Sequence, residues 1–568
     1  MSDSIDKKRK AATGFDVVKH PMLNKGSSFT RDEASSLGVR GLIPGGASIS
    51  LELKVENAIT ELRKKTSPLE KYIYLHTIQD NDETLYHACV MKHLIEVMPF
   101  VYTPTVGQAC QQWSHIYRES VRGVYITLED AGSIKSILAN YPNKDIEVIV
   151  VTDGEAILGL GDLGANGMGI SIGKLALYTA CAGVHPMKCL PVHIDVGTNN
   201  EGNLADPMYL GLRQQRVRGE AFSSLMAEFM SACKEMYGEH VLIQFEDFGN
   251  ATAFSLLDAH RESSCCFNDD IQGTASVILA GLVASLRLVG KRQLSEHRVL
   301  FYGAGAAGVG IADLIAIAVA RECEDISVEQ ARKQIWLVDS KGLVVDGRGD
   351  TLAAHKVNYA HAVDDAVKSK VTSKSGLSGS DLLLNCIEAI RPSALLGVSA
   401  QGGSFTEAIC KAMAAINERP VIFALSNPTT LAECTPTQAY TWTNGKAVYS
   451  SGSPFDRVTL PSGQQFKPGQ GNNAFIFPGV GLAAVTAGAT SITDADFYVA
   501  AYALAGQVSD DSLALGCVYP PLEDIRDVSA HIAAAVVEQM FATGRATKPR
   551  PSGCLVEHCR KEMYVPSY

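Results

Sequence analysis

The sequence predicts an α/β protein: a helical N-terminal domain, a substrate- and metal-binding α/β domain, and a Rossmann-like dinucleotide-binding domain with a parallel sheet, followed by a short C-terminal tail. Three observations carry this prediction. Between Leu69 and Phe100 apolar residues recur at three and four positions, as in Leu85, Cys89, Leu94 and Met98, which is helical spacing. From Glu147 the pattern becomes a β-branched run, Val148-Ile149-Val150-Val151-Thr152, closed by the turn residues Asp153-Gly154. A second run, Arg298-Val299-Leu300-Phe301-Tyr302, enters Gly303-Ala304-Gly305-Ala306-Ala307-Gly308 and then a helix over Val309 to Arg321.

With 568 residues the chain exceeds what one core holds, and length suggests about three or four domains. The pattern places the helical domain at 1–120 and the substrate domain at 121–271 with 473–544. The dinucleotide domain falls at 272–472, with strands expected at Ile335 to Val338, Leu382 to Leu384 and Val421 to Leu425. Thr274 to Val289 reads as a helix. The segment 545–568, with Lys548-Pro549-Arg550-Pro551, reads as a tail.

Composition narrows the class. With 46% hydrophobic and 20% charged residues the chain resembles ordinary globular enzymes. A net charge of -11 argues against nucleic acid, which demands a cationic face. The basic run Lys7-Lys8-Arg9-Lys10 is short and reads as a solvated end. No uninterrupted apolar stretch approaches the ~20 residues needed to cross a bilayer, because Ser285 and Arg287 break Ile278 to Val289, so no membrane partner is expected. The first thirty residues contain Asp3 and Asp6 and no secretory apolar region, which predicts a cytoplasmic protein. Fourteen cysteines at irregular spacings fit reduced thiols; Cys554, His558 and Cys559 make half a zinc site with no second half.

Two acidic clusters, Phe245-Glu246-Asp247 and Asn268-Asp269-Asp270, stand out from apolar surroundings. Adjacent carboxylates repel unless a cation lies between them. Glu246, Asp247 and Asp270 offer three hard oxygen ligands, which suits Mg²⁺ or Mn²⁺. The flank Val241-Leu242-Ile243-Gln244-Phe245 reads as a strand delivering two acids at its end, the usual place for chemistry in an α/β protein.

The glycines Gly303, Gly305 and Gly308 sit between strand and helix, where backbone amides at a positive helix end face a pyrophosphate. The strand Ile335 to Val338 ends in Asp339, 31 positions beyond the last glycine, and that acid is placed to hold the adenosine ribose. Ser340, Lys341 and Lys356 can neutralise a 2′-phosphate or stand as ordinary surface residues. A second match, Gly159, Gly161 and Gly164, runs into more glycines before any helix and reads as a loop over substrate.

Taken together, several segments resemble the malic enzyme family. They are Val101-Tyr102-Thr103-Pro104-Thr105-Val106-Gly107, Gly167 to Lys174, Phe245 to Phe248, Phe267 to Thr274, Leu425-Ser426-Asn427-Pro428-Thr429 and Gly469 to Asn473. The resemblance implies oxidative decarboxylation of L-malate to pyruvate and CO₂, with reduction of NADP (NAD possible) and dependence on Mg²⁺ or Mn²⁺ held by Glu246, Asp247 and Asp270. It implies that Lys174 takes the proton of the C2 hydroxyl, which requires its amine to be neutral. Asp269 would orient that ammonium and Tyr102 would protonate C3 of enolpyruvate. Asn427 and Asn473 resemble amides that contact substrate and nicotinamide. Lys356 resembles the lysine of NADP-preferring members, a cation for the 2′-phosphate. The family also implies a homo-oligomer, a tetramer or dimer.

The chain departs from the pattern in places. Ala156 occupies the position of an arginine in Asp-Gly-Glu-Arg-Ile-Leu-Gly, expected to grip the substrate carboxylate, so weakened malate turnover is expected. Ser171 stands for a proline, and Ala251-Thr252 for a His-Asn pair. Asn57 and Asn81 align with the two arginines of fumarate-activated members, which implies no fumarate activation through that site. Two rival readings remain open at this point: a malolactic-type or oxaloacetate-decarboxylating lyase, and an impaired member kept as an assembly protein.

Overall fold

The computed structural model describes residues 12–117, 122–323, 325–348, 352–372 and 376–568. The basic run Lys7 to Lys10 lies outside them. The chain forms two compact units, Met1–Phe248 with Arg560–Tyr568, and Gly249–Cys559. These units cut across the four segments read from the sequence. The helical region and the first sheet share one unit, while the late helices share the other with the dinucleotide sheet.

In the first unit, a helix Leu51–Arg63 precedes the helices Pro68–Asn81, Glu83–Lys92 and Leu94–Val101, which follow the predicted spacing. Ser67 and Glu70 close a capping box around Pro68 at the helix start, so local sequence fixes where that helix begins. Strands β1 (Val124–Thr127), β2 (Val148–Thr152), β3 (Cys189–Asp195) and β4 (Leu242–Phe245) pair in parallel in the order β1-β3-β2-β4. Every residue of β2, β3 and β4 is buried, as a parallel sheet covered on both faces requires. Because the strands are parallel, Asp153 after β2 and Glu246-Asp247 after β4 emerge at the same sheet end.

The C-terminal segment, read as a tail from the sequence, has partners within the first unit. A helix covers Leu555–Glu562, and Arg560–Tyr568 belongs to the first unit. Tyr564 N donates to Gly183 O at 2.7 Å, and Gly183 must be glycine there: its φ is +65° and a Cβ would lie 2.6 Å from Met563 Cα. Further on, Lys54 Nζ donates to Asp82 Oδ2 at 2.6 Å and to the Tyr568 hydroxyl at 2.7 Å, and that hydroxyl also contacts Asp82. The Lys54–Asp82 pair is largely buried, so removing the ammonium strands a carboxylate. Lys54→Met is expected to destabilise the fold by about 3 kcal/mol, read as a lower denaturant midpoint. An unshifted midpoint would mean that the strap contributes nothing.

In the second unit, β5 (Cys266–Asn268) runs into a π-helical turn, Asp269–Gly273, and then the helix Thr274–Val289 at its predicted bounds. Counted with the turn, Asp269–Val289 has 21 residues and is apolar enough to cross a bilayer by length and composition; 78% of its apolar 18-residue window is buried inside the protein, as expected of a core helix. Seven strands form the dinucleotide sheet: β6 (Val299–Tyr302), β7 (Ile335–Asp339), β8 (Gly342–Leu343), β9 (Ala394–Gly397), β10 (Val421–Ala424), β11 (Val448–Ser451) and β14 (Gly469–Gln470). A hairpin, β12 (Val458–Thr459) and β13 (Gln465–Phe466), stands apart. The order is β14-β11-β10-β9-β6-β7-β8, parallel except for β7 with β8. The strand expected at Leu382 to Leu384 is instead part of the helix Gly379–Ile390. Leu382, Leu383, Cys386, Ile387 and Ile390 bury one helical face, and the leucine run lacks the β-branched residues that favour a strand.

Candidate active site

Lys174 lies in the middle of the helix Met168–Ala182, all of whose residues are buried, and is itself fully buried. Its Nζ sits 2.9 Å from Glu246 Oε1 and 5.2 Å from the centroid of the Tyr102 ring. Gly173 makes this approach possible, because a Cβ there would stand 3.0 Å from Val101 O and 3.2 Å from Tyr102 Cδ2. Tyr102 follows the helix Leu94–Val101 as its C-cap and is buried. Burial raises its phenol well above the usual tyrosine range, against the lowering effect of the neighbouring Lys174. The hydroxyl therefore keeps its proton throughout the neutral range. The first unit thus joins three of the residues singled out by sequence: Tyr102, Lys174 and Glu246.

Asp247, next along, adopts φ +53°, a left-handed conformation that costs a non-glycine residue of order 1–3 kcal/mol. The strain is held by two contacts with the glycine loop after β2. Ala156 N donates to Asp247 O at 3.1 Å and Leu158 N donates to Asp247 Oδ2 at 3.1 Å. Ala156 therefore lies in a loop bound directly to a candidate metal ligand. The same loop continues through Gly159 and Gly161 to Gly164, the segment read from the sequence as a loop over substrate, and a 3-10 turn, Gly164–Gly167, follows.

Arg216 and Arg218, not singled out in the sequence, hold the loop in shape. Arg216 donates to Asp162 through Nε (2.8 Å) and Nη2 (2.5 Å) and to Asp153 O at 2.9 Å, while Arg218 Nη2 reaches Asp153 Oδ2 at 2.9 Å and also pairs with Glu155. Burial raises the Asp153 carboxyl despite both arginines; at Asp162 the burial effect is outweighed by Arg216 and the carboxyl is held low. The signal was present in the run Gln214-Gln215-Arg216-Val217-Arg218, two cations with no acid beside them. Ser171 is buried, its hydroxyl 3.4 Å from Val192 O.

Asp269 and Asp270 belong to the second unit. Asn268 caps the π turn by accepting from Ile271 N at 3.0 Å, and Gly273 has no room for a Cβ, which would fall 1.8 Å from Asp269 Oδ1. Asp269 is fully buried and its Oδ2 accepts from Asn473 Nδ2 at 2.6 Å; Asp270 is partly exposed. Two sequence-predicted residues 204 positions apart are thereby brought together.

At the dinucleotide sheet each glycine has its own reason. Gly303 has φ +118° and a Cβ would lie 2.4 Å from Val398 O; a Cβ on Gly308 would lie 2.8 Å from Gly303 O; Gly305, the residue before the helix Ala306–Glu322, faces open space. A tight turn, close packing and an open approach to a helix N-terminus fit a pyrophosphate. Asp339 ends β7 as predicted, but it is already engaged: Arg348 forks onto it at 2.7 and 3.0 Å, and Lys356 Nζ lies 3.0 Å from Oδ2. Burial works to raise this carboxyl, yet Arg348 and Lys356 hold it below the usual range. Arg348 escaped the sequence reading because its pairing is made by the turn after β8. Ser340 and Lys341 are exposed beside the pair, and Asn427, after β10, is exposed at the same sheet end.

The chain matches the family described as malic enzyme, N-terminal domain, over residues 79–261, and that described as malic enzyme, NAD binding domain, over residues 271–541. Among curated relatives, the NADP-dependent malic enzyme of Sus scrofa is 48% identical over 98% of this chain and 96% of its own length. The chloroplastic NADP-dependent malic enzyme of Zea mays is 47% identical over 98% of this chain and 85% of its own. Among solved structures, Entamoeba histolytica malic enzyme shares the fold with a TM-score of 0.55 at 22% identity, covering 93% of this chain and 91% of that one.

Proposed function

The chain belongs to the malic enzyme family, and from that premise we propose that it converts L-malate to pyruvate and CO₂ while reducing NADP⁺, with a divalent cation required. The observation that carries the reading is the buried Lys174–Glu246 pair beside Tyr102, with the strained Asp247 next in sequence. A pair of this kind has little value as a stability device, because desolvating both charges offsets their attraction. It suits a site where the partner of each changes during turnover.

Glu246 and Asp247 of the first unit, with Asp270 of the second, are the proposed ligands; their hard carboxylate oxygens fit Mg²⁺ or Mn²⁺. When bound, the ion supplies Lewis-acid polarisation of the C2 oxygen and a sink for the charge left by departing CO₂. Lys174 Nζ, as the neutral amine, accepts the hydroxyl proton as the C2 hydrogen leaves as hydride for NADP⁺. After the C3–C4 bond breaks, the Tyr102 hydroxyl, kept protonated by burial, is the proton source for C3. Asp269 and Asn473 act as a joined pair in orienting amine and substrate, and Asn427 contacts the nicotinamide side. Gly303, Gly305 and Gly308 admit the pyrophosphate.

The engagement of Asp339 by Arg348 and Lys356 supports NADP over NAD, since the strand end presents cations in place of a free acid. Lys356→Gln is expected to lower kcat/KM for NADP⁺ about ten- to a hundredfold with a smaller change for NAD⁺. An equal loss with both nucleotides would remove Lys356 from cofactor choice. Asn57 and Asn81 are both exposed and neutral, which supports a protein indifferent to fumarate at that position. No disulfide joins cysteines among the described residues, in keeping with the proposed cytoplasmic setting, and self-association into a dimer or tetramer belongs to the same proposal.

The test is product stoichiometry. Malate, NADP⁺ and Mn²⁺ should give NADPH and pyruvate in equal amounts, and chelation should stop both. Decarboxylation without nucleotide reduction would favour the lyase reading, and neither product the assembly reading.

A further inference from the structure

The carboxylate of Glu246 has a second attachment, on the side away from Lys174. Gln244 Nε2 donates to Glu246 Oε2 at 2.7 Å, and the Tyr178 hydroxyl donates to Gln244 Oε1 at 2.5 Å. Lys174 and Tyr178 stand one turn apart on the helix Met168–Ala182, at i and i+4. Gln244 and Glu246 alternate at the end of β4 and so face the same side. Helix and strand thus close a four-membered polar circuit, Lys174–Glu246–Gln244–Tyr178, with Lys174, Tyr178 and Gln244 fully buried and Glu246 nearly so.

The amide of Gln244 has only one workable orientation. Turned over, its carbonyl would face the Glu246 carboxylate, two acceptors in contact inside the protein. The Tyr178 hydroxyl donates to the opposite end of the amide and opposes that rotation. In an apolar core neither group has water to fall back on, so the arrangement is costly to disturb.

We infer that Gln244 and Tyr178 are positioning residues for Glu246, which commit its Oε2 to the protein so that the carboxylate offers Oε1 alone to Lys174 and to the divalent cation. One oxygen serving two cationic partners makes Glu246 a monodentate ligand of fixed direction. It also ties the place of the ion to the place of the amine. Metal-site partners of this kind change affinity about 10- to 100-fold when removed. The inference rests on the reading that Glu246 is a metal ligand, and its test separates the two.

Mn²⁺ is titrated into the full chain, with free ion read by electron paramagnetic resonance, for the parent, Glu246→Ala, Gln244→Leu, Tyr178→Phe and the Gln244→Leu/Tyr178→Phe double variant. Thermal midpoints and NADP⁺ affinity are read alongside. Glu246→Ala and Gln244→Leu should both weaken Mn²⁺ binding, the latter about tenfold. Tyr178→Phe should weaken it less, because the amide then turns only part of the time, and the double variant should match Gln244→Leu, the signature of a relay rather than of two separate supports. NADP⁺ affinity should hold. Parent-like Mn²⁺ affinity in Gln244→Leu, with Glu246→Ala impaired, would overturn the inference and leave the metal reading standing. Parent-like affinity in Glu246→Ala would overturn the metal reading and the inference with it. If Gln244→Leu does not fold, Tyr178→Phe decides, parent-like affinity overturning the relay. A fall in thermal midpoint with unchanged Mn²⁺ affinity would assign the circuit to stability alone and likewise overturn it.

Discussion

Lys174→Met is expected to lower kcat for malate oxidation by about a thousandfold while the protein still folds and binds NADP⁺. The size follows from the role: a positioned general base contributes about 10² to 10⁴. Methionine keeps the length of the side chain inside a helix with no exposed residue, so the packing change is small. It does leave Glu246 as a buried carboxylate without its ammonium, a loss that costs about 3–5 kcal/mol in comparable sites. Added Mn²⁺ should therefore raise the thermal midpoint of the variant more than that of the parent. Lys174→Arg supplies the control. It retains the positive charge facing Glu246, but a guanidinium cannot lose its proton in the accessible range, so kcat should fall by a similar factor. Parent-like kcat in either variant would remove Lys174 from proton transfer.

Ala156→Arg is expected to act in the opposite direction, raising kcat/KM for malate roughly ten- to a hundredfold. A charge-assisted contact to a carboxylate contributes about 1.5–3 kcal/mol, and each 1.4 kcal/mol is a factor of ten. Position 156 is hydrogen-bonded through its backbone to Asp247, so a side chain there starts from a loop already fixed against the site. Steady-state kinetics with malate, compared between the two proteins at saturating NADP⁺ and Mn²⁺, reads the effect. An unchanged kcat/KM would mean that another group already grips the carboxylate in this chain.

Much of the fold could be read from local pattern. Val148–Thr152 and Thr274–Val289 have the bounds their periodicity predicted, and Gly303, Gly305 and Gly308 sit between strand and helix as their spacing required. In each case the signal and the structure lie in the same short stretch. What escaped was decided by distant partners. Three leucines at 382–384 resemble a buried strand until the residues four and eight positions on are seen to share a helical face. The tail is rich in proline and basic residues, yet Tyr564 and Tyr568 find partners at Gly183, Lys54 and Asp82, far back in the chain. The acids stood out by residue type and Tyr102 and Lys174 through the family resemblance, whereas Arg216, Arg348, Gln244 and Tyr178 are ordinary residues in sequence and gain their meaning from what they face. Glu246 as the partner of Lys174 within the first unit belongs to that second group, since the family resemblance pointed only to Asp269.

The central claim is that a single divalent ion is shared by Glu246, Asp247 and Asp270 beside the amine of Lys174. A crystal grown with Mn²⁺ and examined by anomalous scattering tests it most directly. One strong peak bonded to an oxygen of each of the three acids is expected. Carboxylates directed into separate solvent, with the manganese bound elsewhere or not at all, would contradict it.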